Sequence, residues 1–234
     1  MSEGLRFPPL MWDEPAHGDA MQHAVMRATL GCDAGLVSHD LGATLMQAAL
    51  VLAPEVPLAR AMAMLPLCGV SFQNALGVIA PPEVAVHLDW DGGIRINGAS
   101  CGRLRVAASG SDPEAVPDWL VVGLELPLLP ETDDPGAEPE STTLFAEGCA
   151  EVQPPELLEA WARHTLAAIS RWEETGNRAL HAEWRGLAHG LGEEISQGDL
   201  SGTFVGVDEE FGMLLRDDET TRVIPLTVLL EDMA

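Results

Sequence analysis

Residues 84–109, VAVHLDWDGGIRINGASCGRLRVAAS, decide how this chain folds. VAVHLDW, IRINGAS and CGRLRVAAS read as consecutive strands, with apolar and polar residues alternating at the period of two that a half-buried sheet requires. Asp91-Gly92-Gly93 forms the first tight turn and Asn97-Gly98 marks the second connection, in the dipeptide classes that hairpins favour.

Upstream lies a Pro-rich approach, LRFPPLMWDEP, then a helical pattern from about Gly18 to Leu30 and a Gly-bearing turn at GCDAG. The apolar segments LVSHD and LMQAALVLA are of strand length. After a turn at Pro54–Pro57, a helix is expected from Leu58 to about Ile79, apolar around most of its circumference and therefore packed on both sides. Downstream, WLVVGLELPL reads as another strand and ETDDPGAEPES as an acidic, exposed loop. Helical spacing recurs from Pro154 to about Gly176 and from Ala179 to Leu191, with Trp161, Trp172 and Trp184 as large anchors. Beyond a hinge near SQGDLSG, residues 204–226 read as three short strands whose DDET turn suggests an exposed hairpin. The sum is an α+β chain: an α/β two-layer domain over 1–196 and a small all-β domain over 200–234.

At 234 residues the chain is long enough for one good core plus an appendage, and 47% hydrophobic residues exclude disorder. Its formal charge of -25 and pI near 4.3 repel nucleic-acid phosphates and anionic headgroups, so neither nucleic acid nor membrane is expected as a partner. All 12 basic side chains are arginine. Schiff-base chemistry and a lysine clamp on phosphates therefore cannot come from this chain's own side chains. Cys32, Cys68, Cys101 and Cys149 stand far apart without a CxxC pair, which indicates neither a zinc site nor a disulfide framework. No signal-peptide pattern opens the sequence, and the longest contiguous apolar runs, 48–53 and 119–124, are strand length; a cytoplasmic protein with buried, reduced thiols is expected.

The segment around the hairpins resembles the central part of biotin and lipoate protein ligases. There a Lys-Trp-Pro-Asn-Asp motif precedes a hydrophobic strand, an Asn-Gly turn and a Gly-rich return strand. Trp90 falls on the motif's tryptophan, Ile94 and Ile96 on the strand, Asn97-Gly98 on the turn and Gly102 on the first glycine of the return. Gly123, in the strand that follows, matches a family glycine. Gly206, Asp208 and Gly212 to Leu215 fall on the pattern of the small, barrel-like (SH3-like) C-terminal domain of biotin ligases. The resemblance spans nearly the whole chain and is closest to divergent members of the biotin/lipoate A/B protein ligase family. It implies a class II synthetase-like mixed sheet with flanking helices. It also implies activation of biotin, lipoate or a related acid by ATP and Mg²⁺ to an acyl-adenylate, then transfer to a lysine on a carrier protein. Dimerisation through a sheet edge follows from the family analogy alone.

Three departures bear on that activity. Asp89 stands where the motif has its lysine, while Asp91, Gly92 and Gly93 replace Pro-Asn-Asp. Reversing a charge where negative charge must be stabilised turns an attraction on the order of 4 kcal/mol, for unit charges near 4 Å at an effective dielectric of about 20, into a comparable repulsion. The Gly-Arg loop expected to close over the adenylate is absent: 40–50 holds one glycine and no arginine. The Ser-Thr-Asn cluster near the first helix is replaced by His17, Gly18 and Asp19.

The residues read as ligand-binding candidates are Trp90, Asn97, Gly102, Arg103, Arg105 and Gly123; none is assigned a catalytic role. Each has a plainer reading. Trp90 serves equally as a core or pocket wall, Asn97 as a turn former, and the two glycines as relief of strand crowding. Arg103 and Arg105 alternate onto one strand face, from which they can hold a carboxylate or phosphate, or form salt bridges to Asp89 or Asp91. No metal site is expected: Asp89 and Asp91 read as an exposed turn, His87 with Asp89 lacks a third ligand, and adjacent Ser38, His39 and Asp40 cannot converge as a triad. Two functions stay open. One is an acyl-activating or acyl-transfer enzyme with a concave pocket beside the 90–105 hairpin; the other is a noncatalytic binding or interaction protein in which 39–50 forms regular strand rather than a ligand loop.

Overall fold

The computed structural model describes residues 4–130, 141–217 and 220–231. Most of the ETDDPGAEPES stretch and part of the DDET turn lie outside them. In chain order the first elements are β1 (Trp12–Pro15), α1 (Ala20–Thr29), β2 (Leu36–Leu41), β3 (Leu45–Leu52), α2 (Leu58–Ala61) and α3 (Met64–Ile79). The hairpin region forms β4 (Val86–Leu88), β5 (Gly93–Ile96) and β6 (Ala99–Ala108), followed by β7 (Leu120–Pro127). Helices α4 (Pro154–Thr175) and α5 (Asn177–Leu187) lead into β8 (Glu194–Gln197), β9 (Leu200–Val207), β10 (Met213–Arg216) and β11 (Thr221–Ile224).

The first seven strands make one mixed sheet, in the order β1-β2-β3-β7-β6-β5-β4. Asn97 (φ 51°) and Gly98 (φ 94°) both take the left-handed values that a two-residue hairpin turn demands. Residues 39–50 are β2 and β3 joined by a short turn, so the ligand-loop alternative is not realised. The Pro-rich approach, in contrast, holds a strand: β1 pairs with β2 in parallel, with α1 as the crossover. The strand itself, Trp-Asp-Glu-Pro, is four residues long with one apolar side chain and a terminal proline, too little for periodicity to reveal.

Helices α3, α4 and α5 pack together on one face of the sheet, while α1 lies on the other, over β2, β3 and β7. The main core forms between the first group and the sheet; a smaller one under α1 gathers Met21, Ala24, Leu36, Ala49, Val51 and Val121. The 58–79 helix is broken at Met62–Ala63. Pro66 has no N–H to give the Met62 carbonyl, which instead accepts from Leu65 N at 3.0 Å, and the helix restarts with the proline in its first turn. The 22-residue helical stretch Leu58–Ile79, with an 18-residue window of mean hydropathy 1.5, does have the length and composition of a membrane span, contrary to the expectation from contiguous runs. The fold spends that apolarity inside: Leu67, Cys68, Phe72 and Leu76 are fully buried, and Trp161 of α4 donates its indole N–H to the Cys68 carbonyl at 3.1 Å.

The second sheet is antiparallel, β11-β10-β9-β8. SQGDLSG is thus the β8–β9 hairpin rather than a hinge, and the small sheet has four strands where three were expected. Its β9–β10 loop inserts into the larger domain. Asp208 organises that loop, its Oδ1 accepting from Glu210 N (2.9 Å) and Gly212 N (2.7 Å), and Phe211 at its tip is buried against Trp184 and His181.

Candidate functional site

Beyond the N-terminus of α1, the same sheet face carries polar side chains. Arg103 and Arg105 on β6 and Gly123 and Glu125 on β7 are brought together by the β6–β7 register, in which Arg103 pairs with Glu125 and Arg105 with Gly123. That register sets the ion pairs. Arg103 Nη2 reaches Glu125 Oε2 across the strands at 3.1 Å. Arg105 faces a residue without a side chain, so it extends to Asp19 and Glu231: Nη1 lies 3.2 Å from Asp19 Oδ2, and Nε and Nη2 lie 2.8 and 2.7 Å from the two Glu231 oxygens. Burial would lower the Arg105 pKa, but its bonds to Glu231 and Asp19 outweigh that and raise it. Salt bridges from these arginines to Asp89 or Asp91, expected from the sequence, do not form: their partners are Glu125, Asp19 and Glu231. Asp89 is claimed by Arg95, whose Nε lies 2.9 Å from both carboxylate oxygens, and His189 Nδ1 lies 3.0 Å from Oδ1. Asp91 accepts from Gly93 N within the turn.

Asp19 has a double duty. Its Oδ1 caps α1, accepting from Met21 N (2.8 Å) and Gln22 N (3.1 Å), while Oδ2 faces Arg105. The cap pattern is legible in sequence as an Asp before a helical run. Glu231 carries no such signal, because its importance arises from where the tail lands.

Gly102, Arg103 and Arg105 line an open cleft of about 780 Å³, within the range of small-molecule sites. Among the described residues its charged lining is Asp89, Asp91, Glu125 and Glu231 against the two arginines. Gly102 sits at the irregularity where the β5–β6 register shifts; a Cβ there would lie 2.5 Å from the Glu125 carbonyl oxygen. Gly123 does not open onto a ligand space, since Met21 Sδ covers it at 2.9 Å from where a Cβ would stand. The hollow shared by Gly123, Asp19, Gln47 and Arg105 holds only about 10 Å³. Trp90 is 5% exposed and donates its indole N–H to the Phe211 carbonyl at 2.8 Å, so it forms part of the contact with the small sheet. Asn97 serves its turn: Oδ1 accepts from Ala85 N and Nδ2 donates to Glu147.

Among the described residues no group of three His, Cys, Asp or Glu side chains is arranged to hold a metal. Cys101 borders the cleft but is 1% exposed, and burial pushes its thiol up to about 12, as it does for Cys68. Iodoacetamide at pH 8 is therefore expected to modify Cys32 alone, with Cys68, Cys101 and Cys149 reacting only after denaturation; rapid labelling of Cys101 in the folded protein would contradict this burial. Because the two folded-state values are raised, the stability these thiols contribute is complete below about pH 9 and is lost as the pH rises toward 12.

Comparison with known proteins places this geometry. The profile of the biotin/lipoate A/B protein ligase family matches residues 7–186, the whole of the larger sheet with its helices. The chain belongs to that family. Residues 191–232, which hold the small sheet, match a domain of unknown function, DUF4444. A biotin–[acetyl-CoA-carboxylase] ligase of Paracoccus denitrificans is 26% identical over 186 residues, 75% of each chain. The crystal structure of a biotin protein ligase-like protein of unknown function from Silicibacter sp. TM1040 is 62% identical, with a TM-score of 0.94 over 98% of this chain and 100% of that one. Biotin protein ligase from Aquifex aeolicus, at 18% identity, shares the fold with a TM-score of 0.74 over 94% of this chain and 96% of its own. The Aquifex enzyme has also been solved in complex with biotin and ATP.

The residues of the present chain do not fit a nucleoside triphosphate. Both cleft arginines already hold carboxylates, and four carboxylates against two guanidiniums leave the lining negative. Only Gly42, Ala43 and Thr44 connect β2 to β3, too few to close over a nucleotide, and the α1 N-terminus faces its own Asp19.

Proposed function

We propose that this chain is a noncatalytic member of the biotin/lipoate A/B protein ligase family, a binding module that keeps the ligase fold and does not form an acyl-adenylate. The observation that carries the reading is the state of Asp89. Where the family motif has a lysine, this carboxylate is fixed by Arg95 and His189, so the reversed charge is built into a network rather than left free to adapt. The Met21-filled hollow at Gly123 and the three-residue β2–β3 connection support it independently.

The test is ATP/pyrophosphate exchange by the folded protein with Mg²⁺ and biotin, lipoate or octanoate supplied separately, beside an active ligase as control. No exchange above background is expected with any acid. Exchange with one of them would overturn the reading and name a substrate.

A further inference from the structure

Asn97-Gly98 closes the β5–β6 hairpin at the surface, with both residues exposed. It is also the dipeptide in which an asparagine is most open to attack by its own main chain, because glycine puts no side chain in the way. Nothing stands within 4 Å of where a Cβ would sit on Gly98, so the turn leaves room for that attack. The amide itself is held at both ends. Oδ1 accepts from Ala85 N at 3.0 Å, which fixes the oxygen end, and Nδ2 donates to Glu147 Oε2 at 2.8 Å. We propose that Asn97 is a site of spontaneous deamidation, gated by Glu147, and that its product unfastens residues 141–149 from the hairpin.

In the reaction the Gly98 nitrogen bonds to Asn97 Cγ and the Cγ–Nδ2 bond breaks. Nδ2 leaves as ammonia, taking up the Gly98 N–H proton, and water then opens the succinimide to aspartate or isoaspartate. To reach Gly98 N, the side chain must let go of Ala85 and Glu147, so these two bonds slow the attack. Afterwards a carboxylate oxygen faces Glu147 where an N–H did. Both groups are then negative and can only accept, so the 2.8 Å contact turns from a bond into a repulsion. Glu147 is the pivot of its segment: Oε1 accepts from the Thr142 hydroxyl at 2.6 Å, and Thr142 N donates to the Ser100 carbonyl at 2.8 Å, beside the Ser100–Ser141 bridge. Ser141 and Thr142 line the cleft, so modification at the hairpin tip loosens the cleft's rim. Isoaspartate also adds a backbone carbon to a two-residue turn, which disturbs the pairing of β5 with β6.

This chemistry asks nothing of any cleft ligand, so it stands or falls apart from the exchange assay. Wild type, Glu147→Ala and Asn97→Asp are prepared as the full chain and checked for folding by circular dichroism, and the first two are incubated in mildly alkaline buffer. Peptide mapping by mass spectrometry reads the replacement of NH by O at each asparagine. Asn97 should convert ahead of Asn74 in α3 and Asn177 at the start of α5, which precede alanine and arginine. That ordering needs no variant, so it tests the site even where a substitution unfolds the chain. Loss of the Glu147 bond should speed conversion at Asn97 by about two- to tenfold, the factor one ordinary hydrogen bond supplies, and leave the other two asparagines unchanged. In Asn97→Asp the Thr142 amide should exchange hydrogen at least about twofold faster than in the wild type. No preference for Asn97 over the other asparagines, equal conversion in Glu147→Ala and wild type, or equal exchange at Thr142 would overturn the proposal.

Discussion

Replacing Phe211 by alanine is expected to cost about 3–5 kcal/mol, the usual range for truncating a fully buried phenylalanine. For a chain of this size that lowers the melting temperature by roughly 6–20 °C. The ring is 1% exposed and meets Trp184 edge-on at 6.3 Å and His181 at 5.6 Å, so its removal leaves a cavity between the β9–β10 loop and α5. Phe211 also holds φ at 63°, a left-handed value that a bulky side chain adopts only when its surroundings enforce it. Here Asp208 enforces it from within the loop, through two backbone donors, and Trp90 from the other domain, through the Phe211 carbonyl. With the ring gone, the small sheet loses the side chain by which its β9–β10 loop packs against Trp184 and His181. Calorimetry should then resolve two transitions where the wild type shows one, the lower belonging to β8–β11. A single unshifted transition would show that the two sheets are coupled elsewhere.

The interdomain plug illustrates what the sequence reveals and what it withholds. Gly206, Asp208 and Gly212 were recognisable as a pattern, and Trp90 as a motif tryptophan, but nothing local says that Trp90 and Phe211, 121 positions apart, meet through an indole N–H and a carbonyl. Elements with strong local signals were readable: the Asn97-Gly98 turn, the alternation of β5 and β6, and the helical spacing of α4. β1 was not, since an edge strand paired in parallel draws its stability from a distant neighbour rather than from its own periodicity. The single helix expected over 58–79 left Pro66 out of account; its position in a first turn rather than a helix interior is what splits the stretch in two.

The candidate site shows the same division more sharply. That Arg103 and Arg105 share a face follows from spacing alone, whereas their partners do not. Asp89 and Asp91, on the preceding hairpin, were the partners the sequence suggested, but register gave Arg103 to Glu125 and left Arg105 opposite a glycine, free to reach 126 positions onward to Glu231. Asp89 in turn went to Arg95, on its own hairpin. Ion pairs in a sheet are set by strand alignment, which a one-residue slip would rewrite entirely.

Arg105→Met is the second large effect to expect, because it leaves Asp19 and Glu231 facing each other without a counter-charge. Breaking a buried ion pair costs about 3–5 kcal/mol; with partners 27% and 31% exposed, water relieves part of that, and a loss of about 1–3 kcal/mol is expected. The size of the loss comes from the stranded carboxylates more than from the missing attraction. A second change separates the two: in Arg105→Met/Glu231→Leu one stranded charge is replaced by an apolar side chain at the edge of Leu229 and Val106, and more than half of the lost stability should return in urea unfolding. Asp19 keeps its hydrogen bonds to Met21 N and Gln22 N in both variants, so the helix cap is not what changes. If the double variant were no more stable than Arg105→Met, the fork between Arg105 and Glu231 would be an incidental surface contact, and the tail would owe its position to Leu226 and its backbone bond to Val106 instead.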